Sequence, residues 1–188
     1  GEILYRRWNG SSWSTTEDVS ENAGYSQQPE ISVDSTGKVH VVLMDGDLSH
    51  RPEDLKKLLS AADTADIVIG SRFVPGGSIV GWPFRRRLVS RTANLVARLF
   101  LTVRVKDATS GFALFRREVL ERLDGTLQPK GFKLVLEVIV KSPQANVFEV
   151  PITFVDRVRG KSKFGFGEVV NFVSLCYVLR KLRRRRGE

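Results

Sequence analysis

The stretch Val39-His40-Val41-Val42-Leu43-Met44-Asp45-Gly46-Asp47 sets how the rest of the chain is read. Val39 to Met44 is an apolar run of strand length, as expected of a strand buried on both faces of a parallel sheet. Two carboxylates, Asp45 and Asp47, follow at i and i+2. Open α/β sheets place ligands outside the carboxyl ends of their strands, so the pair falls where a site is expected. Mg²⁺ and Mn²⁺ take one or two protein carboxylates and complete their shells with water and substrate phosphate oxygens. The same residues also suit an Asp-Gly turn joining two strands, and spacing alone does not choose.

C-terminal to this stretch the pattern is α/β. Pro52 suits a helix start, with Glu53 and Asp54 in the first turn. Leu55, Leu58, Leu59 and Ala62 recur at helical spacing, and residues 66–70 read as a second short buried strand. A long helix is expected over 85–101, with Leu88, Leu95, Val96 and Leu99 facing the core. Strands are expected near 112–115 and 147–154, a helix between them around 132–141, and a basic amphipathic helix over 167–184.

N-terminal to it, residues 1–43 are rich in Ser, Thr, Asn and Trp and read as short β-hairpins. Ile3-Leu4-Tyr5 and Trp13-Ser14-Thr15 flank Asn9-Gly10, a strong hairpin-turn dipeptide. Residues 31–34 and 38–42 flank a second turn at Ser35-Thr36-Gly37. The stretch resembles one blade of a sialidase-like β-propeller, with Ser32-x-Asp34 and Gly37 in the place of its turn. A single blade cannot close a propeller, so no sialidase or lectin activity follows. The composition shift puts a boundary near residue 40, giving segments 1–38, 39–166 and 167–188.

The 188 residues carry 30 basic and 21 acidic side chains, a net charge of +9 that is unevenly spread. Residues 71–106 contain eight basic residues and no acid, and residues 180–186 hold six cations. Such surfaces favour polyanions: small-molecule phosphates, an anionic membrane face, or nucleic acid. The basic stretches lack interleaved aromatics, which argues against nucleic acid. One Cys excludes an internal disulfide framework, and two His leave little room for a His-built metal centre. No apolar stretch has the roughly 18 residues of a spanning helix, and no signal peptide is expected.

Arg86, Ser90, Arg91 and Asn94 fall at spacings that cluster them near one helical face. They offer cationic forks and hydroxyl or amide donors suited to a phosphate. A solvated basic face would normally carry compensating acids, and their absence from this stretch favours a ligand. Gly76-Gly77 permits close backbone approach but is equally a plain loop signal. Arg157 and Lys163, in a Gly-punctuated segment, either close over a phosphate or decorate a basic loop.

Taken together, several motifs resemble those of dolichol-phosphate mannose synthases in glycosyltransferase family 2. They are Asp45-Gly46-Asp47-Leu48-Ser49-His50, Gly70-Ser71-Arg72-Phe73, Gly76-Gly77-Ser78-Ile79 and Gly81-Trp82-Pro83. Arg86, Ser90-Arg91, Ala93-Asn94 and Asp107-Ala108-Thr109-Ser110-Gly111-Phe112 follow in order. Glu149-Val150-Pro151-Ile152-Thr153-Phe154-Val155-Asp156-Arg157 and Gly160-x-Ser162-Lys163 complete the set. The resemblance implies a GT-A-type, Rossmann-like α/β fold and inverting transfer of mannose from GDP-mannose to dolichyl or polyprenyl phosphate. It implies that Asp47 holds Mg²⁺ or Mn²⁺ on the nucleotide diphosphate, with Asp45 near the sugar and metal. Arg72, Arg86, Ser90 and Arg157 correspond to acceptor-phosphate positions, and Asp107 to a segment lying against the sugar and acceptor. No strong protein base is needed, because the acceptor phosphate is already an anionic nucleophile.

A family member presents two or three βα units before the acidic motif, on the order of 60–90 residues. Here 44 residues precede Asp45. The expectation is a partial domain lacking its N-terminal nucleotide-binding half, preceded by hairpins. An inert fragment that keeps only the acceptor-phosphate and membrane surfaces is the alternative. Val135 also stands where a Gln is expected near Glu137. In the tail, apolar residues from Val169 to Leu179 precede the Arg run. This two-signal arrangement is expected to attach the chain peripherally to the cytoplasmic face of an anionic membrane.

Overall fold

The computed structural model describes residues 4–5, 17–18, 28–33, 39–45, 47–123, 126–127, 134–156 and 166–185. Strands β1 (Leu4–Tyr5) and β2 (Glu17–Asp18) pair antiparallel. Asn9-Gly10 and Trp13-Ser14-Thr15, on which the first expected hairpin rests, lie outside the described residues. β3 (Gln28–Val33) then pairs antiparallel with β4 (Val39–Met44), from Gln28 opposite Met44 to Val33 opposite Val39. The second expected hairpin therefore forms, although its turn lies outside the described residues, and β3 extends the main sheet ahead of residue 39.

After β4 come a 3₁₀ turn (Pro52–Asp54), α1 (Leu55–Ala61), β5 (Ile67–Ser71), β6 (Ser78–Val80) and α2 (Phe84–Leu101). β7 (Ala113–Arg116), α3 (Arg117–Glu121), α4 (Leu134–Lys141), β8 (Val147–Pro151), β9 (Thr153–Val155) and α5 (Phe166–Arg185) follow. The five-stranded sheet has the order β3-β4-β7-β5-β8. The expectation that β4 lies in a parallel sheet is corrected: both its neighbours, β3 and β7, run antiparallel to it. The cause is topological. β7 inserts antiparallel between β4 and β5, and within this sheet only β5 and β8 pair in parallel.

Strand alternation divides the apolar side chains between two layers. Ile67, Ile69, Leu43 and Phe115 pack with α4, with Ala97 and Leu101 of α2, and with Cys176 and Leu179 of α5. Val42, Val68 and Leu114 pack on the other face against Leu58 and Ala62. α4 is apolar apart from Glu137 and Lys141, which pair at 2.6 Å, and its residues from Val135 to Val140 are all buried.

Two expectations need correction. The strand expected over 147–154 breaks at Ile152. β8 stays beside β5, whereas β9 leaves to pair in parallel with β6, Ser78 opposite Thr153. On α2, Leu88, Leu95, Val96 and Leu99 do not face the core. They are exposed, Leu99 by 75%. The helix instead buries Asn94, Ala97 and Leu101, because Asn94 is hydrogen-bonded to the loop that follows the helix. α2 ends at Thr102, whose left-handed φ of 51° stops the helix.

Candidate active site

Asp45 and Asp47 emerge at the carboxyl end of β4, as their spacing predicts. Two local features set their carboxylates. Leu48 has φ of 62°, a left-handed turn that brings the chain back. The Ser49 N–H and hydroxyl both donate to Asp47 Oδ1, the N–H at 3.1 Å. Asp45 rests on Gly111: a Cβ built there would lie 2.4 Å from Asp45 Oδ2 and 2.7 Å from Cγ. A side chain at residue 111 would therefore displace the Asp45 carboxylate from this position. Behind the pair, His50 is buried with its ring between Phe112 and Phe154, at centroid distances of 5.1 and 5.2 Å. Its Nε2 lies 3.5 Å from Asp45 Oδ2.

Arg72, at the end of β5, meets Asp107 in a buried fork. Nε donates to Oδ2 and Nη2 to Oδ1, each at 2.7 Å, and the Arg72 backbone N–H donates to Oδ2 at 2.9 Å. Burial works against a charged guanidinium here, but Asp107, by charge and hydrogen bonding, and Asp45, by charge, raise the Arg72 pKa above its ordinary value. The loop carrying Asp107 is fixed on every side. Glu149 accepts from the backbone N–H groups of Lys106 at 2.7 Å and Asp107 at 3.0 Å. Asn94 Nδ2 donates to Thr109 Oγ1 at 2.9 Å, and Ser110 donates to the Gly70 carbonyl at 2.6 Å.

The expectation that the basic stretches lack interleaved aromatics is corrected here, because arginines alternate with the Trp82 and Phe73 rings. Arg86 lies 4.0 Å from the Trp82 ring centroid, and Arg72 lies 5.4 Å from Trp82 and 5.3 Å from Phe73. Arg91 lies 5.9 Å from the opposite neighbour, Phe73. Each contact is a cation–π pairing, and the row places three guanidiniums without pressing any two together.

The residues expected to form one phosphate face separate in the structure. Arg86 pairs with Asp156 at 2.7 Å, and Arg72 is taken by Asp107. The compensating acids that the 71–106 stretch lacks thus arrive from distant parts of the chain. Asn94 turns inward, to Asp107, Thr109 and the Ser90 carbonyl. Arg91 opens onto a cavity of about 600 Å³ between α2 and the 73–77 loop. Arg157 and Lys163 lie outside the described residues. Sequence reasoning missed His50, Trp82 and Glu149 as parts of the site. Glu149 was quoted within a motif, but its partners are 42 and 43 residues away in sequence.

The donor set suits a hard divalent ion. The Asp45 and Asp47 carboxylates offer oxygen donors of the kind such an ion takes, and among the described residues no group of three or more His, Cys, Asp or Glu converges on a metal position. Most of an octahedral shell would come from water and a bound diphosphate, as Mg²⁺ and Mn²⁺ prefer.

The chain matches, over residues 33–124, the profile described as Glycosyl transferase family 2. It is similar to the dolichol-phosphate mannosyltransferase of Pyrococcus furiosus, 42% identical over 151 residues, covering 79% of this chain and 42% of that protein. The polyprenol monophosphomannose synthase of Mycolicibacterium smegmatis is 45% identical over 127 residues, 65% of this chain and 48% of that protein. The undecaprenyl-phosphate mannosyltransferase of Micrococcus luteus is 40% identical over 132 residues, 69% of this chain and 54% of that protein. The chain thus spans about half the length of the curated relatives it matches.

Proposed function

We propose that the chain transfers mannose from GDP-mannose to dolichyl or polyprenyl phosphate, with inversion at the anomeric carbon. The observation that carries this is the placement of Asp45, seated on Gly111 at the end of β4, within the electrostatic reach of the Arg72–Asp107 pair. In the reaction an acceptor phosphate oxygen attacks the anomeric carbon, the bond to the diphosphate breaks, and GDP departs. The nucleophile is already an anion, so positioning and neutralisation of charge carry the rate.

Asp47 and Asp45 would hold the divalent cation, which supplies positive charge for the departing diphosphate. Asp47 is oriented for this by the two donors from Ser49. Arg86 and Arg91, standing on α2, supply cations for the acceptor phosphate, with Ser90 between them and with Arg157 and Lys163 from the segment after β9. Arg72 and Asp107 act as positioning residues, since each occupies the other and together they fix the 107–112 loop under Asp45.

The acceptor is a lipid, so the site must meet a bilayer surface. No helix among the described residues is long and apolar enough to cross a membrane. Exposed apolar residues gather instead on α2 (Phe84, Leu88, Leu99) and α5 (Val173, Tyr177), and Arg180 of α5 stacks 4.2 Å over Phe100 of α2. Peripheral attachment to an anionic cytoplasmic leaflet through this face fits the combination of apolar area and cations. GDP release that depends on both polyprenyl phosphate and Mg²⁺ or Mn²⁺, with UDP-glucose as the competing donor, tests the assignment. Equal turnover with UDP-glucose, or release without acceptor, would refute it.

A further inference from the structure

We propose that the cavity between α2 and the 73–77 loop is a second anion site that takes the phosphate of an anionic membrane lipid. It adjoins the transfer site, sharing Arg91 with the acceptor-phosphate cations and Arg72 with the positioning pair, but its lining includes none of Asp45, Asp47, Arg86 or Ser90. The proposal goes beyond the transferase reading and does not depend on it, because lipid would occupy this cavity whether or not sugar is transferred.

Four cations line the cavity, Arg72, Arg91, Arg98 and Lys106, and no carboxylate does. Arg72 is already neutralised by Asp107. The other three have no ion pair among the described residues. Arg91 and Arg98 are seven residues apart, two turns of α2, and so project from the same face. Three unneutralised cations around one concavity repel each other, and a bound anion reverses the sign of that interaction. The volume, about 600 Å³, exceeds what a bare phosphate fills and falls in the range of small-molecule sites.

The lining also decides the source of the phosphate. Leu95 borders the cavity and is exposed, and Leu88 and Leu99 lie seven residues before and four after it on the same helix, also exposed. A free phosphate gains nothing from that stripe. A phosphate esterified to a lipid puts its charge among the arginines and its apolar body along the leucines.

Vesicles of phosphatidylcholine containing phosphatidylglycerol, with no polyprenyl phosphate, provide the test. R98A/K106A removes two cavity cations, and R85A/R87A removes two exposed cations from the same helix outside the lining. All four side chains are exposed, so neither pair threatens the fold. The loss of vesicle affinity is expected to be at least about tenfold greater for R98A/K106A than for R85A/R87A, since a formed phosphate contact adds to the surface attraction both pairs share. Inorganic phosphate should displace the native chain better than chloride at equal ionic strength, and lose that advantage in R98A/K106A. L95S should weaken vesicle binding and leave displacement by phosphate unchanged. Equal losses for the two pairs would overturn the site. An L95S variant that binds vesicles as the native chain does would overturn the lipid assignment in favour of free phosphate.

Discussion

Asp107 accepts two hydrogen bonds from the Arg72 guanidinium, both at 2.7 Å, in a pair almost closed to solvent. One partner directly follows β5 and the other opens the loop that carries Gly111. The pair therefore ties the strand to the surface on which Asp45 rests. Removing one partner leaves the other charged and buried. Asp107→Ala is expected to cost about 3–5 kcal/mol, seen as a fall in melting midpoint on the order of 10 °C. The pH dependence has a definite sign. The Arg72 pKa is raised in the folded chain, so its contribution is fully present below the ordinary arginine range and is lost only as pH rises through the higher value. Thermal melts should therefore show no loss traceable to Arg72 below about pH 12, by comparison with Arg72→Met.

Gly111→Ala tests the seat of Asp45. The added Cβ would fall 2.4 Å from a carboxylate oxygen, so the Asp45 side chain must leave its position. Sugar transfer should drop by at least about tenfold, equivalent to about 1.4 kcal/mol of transition-state stabilisation. Native-like stability with unchanged transfer would show that Asp45 does not act from this position.

Metal affinity should depend on the nucleotide. With two carboxylates and no third metal-binding group among the described residues, Asp45 and Asp47 provide a minority of an octahedral shell. Calorimetry should find weak Mn²⁺ binding to the chain alone and tighter binding once GDP is present, and Asp47→Ala should abolish that gain. Tight Mn²⁺ binding without nucleotide would count against the assignment.

Leu99 gives a contrast between stability and membrane attachment. It is 75% exposed, so Leu99→Ser should change folding stability by no more than about 0.5 kcal/mol. Co-sedimentation with anionic vesicles should nevertheless weaken, because apolar insertion is lost. A strongly destabilised variant would place Leu99 in the core after all.

How much of this was legible beforehand follows from how local each signal is. The β4 and α4 runs are local patterns, and each forms the strand or helix expected of it, although the neighbours of β4 run antiparallel. The orientation of α2 was not legible. Apolar residues occur on several of its faces, and the buried one is chosen by Asn94 bonding to Thr109, 15 residues on. The two arginines that look unpaired in sequence, Arg72 and Arg86, find their acids 35 and 70 residues away. The break at Ile152, which moves β9 from the main sheet to β6, follows Pro151, a strand-breaking residue that the single-strand reading over 147–154 ran through. Arg157 and Lys163, read both from their Gly-punctuated segment and from the resemblance, lie outside the described residues.

The central claim is that this chain moves mannose onto a lipid phosphate with help from Asp47. The most direct measurement is incorporation of radiolabelled mannose from GDP-mannose into organic-extractable polyprenyl phosphate, in the presence of Mn²⁺, by the native chain and by Asp47→Ala. The account predicts labelled lipid from the native chain and a loss of at least about a hundredfold in the variant, the scale on which losing a group that stabilises transition-state charge is felt. Absence of labelled lipid from a folded native chain, or equal labelling by Asp47→Ala, would contradict it.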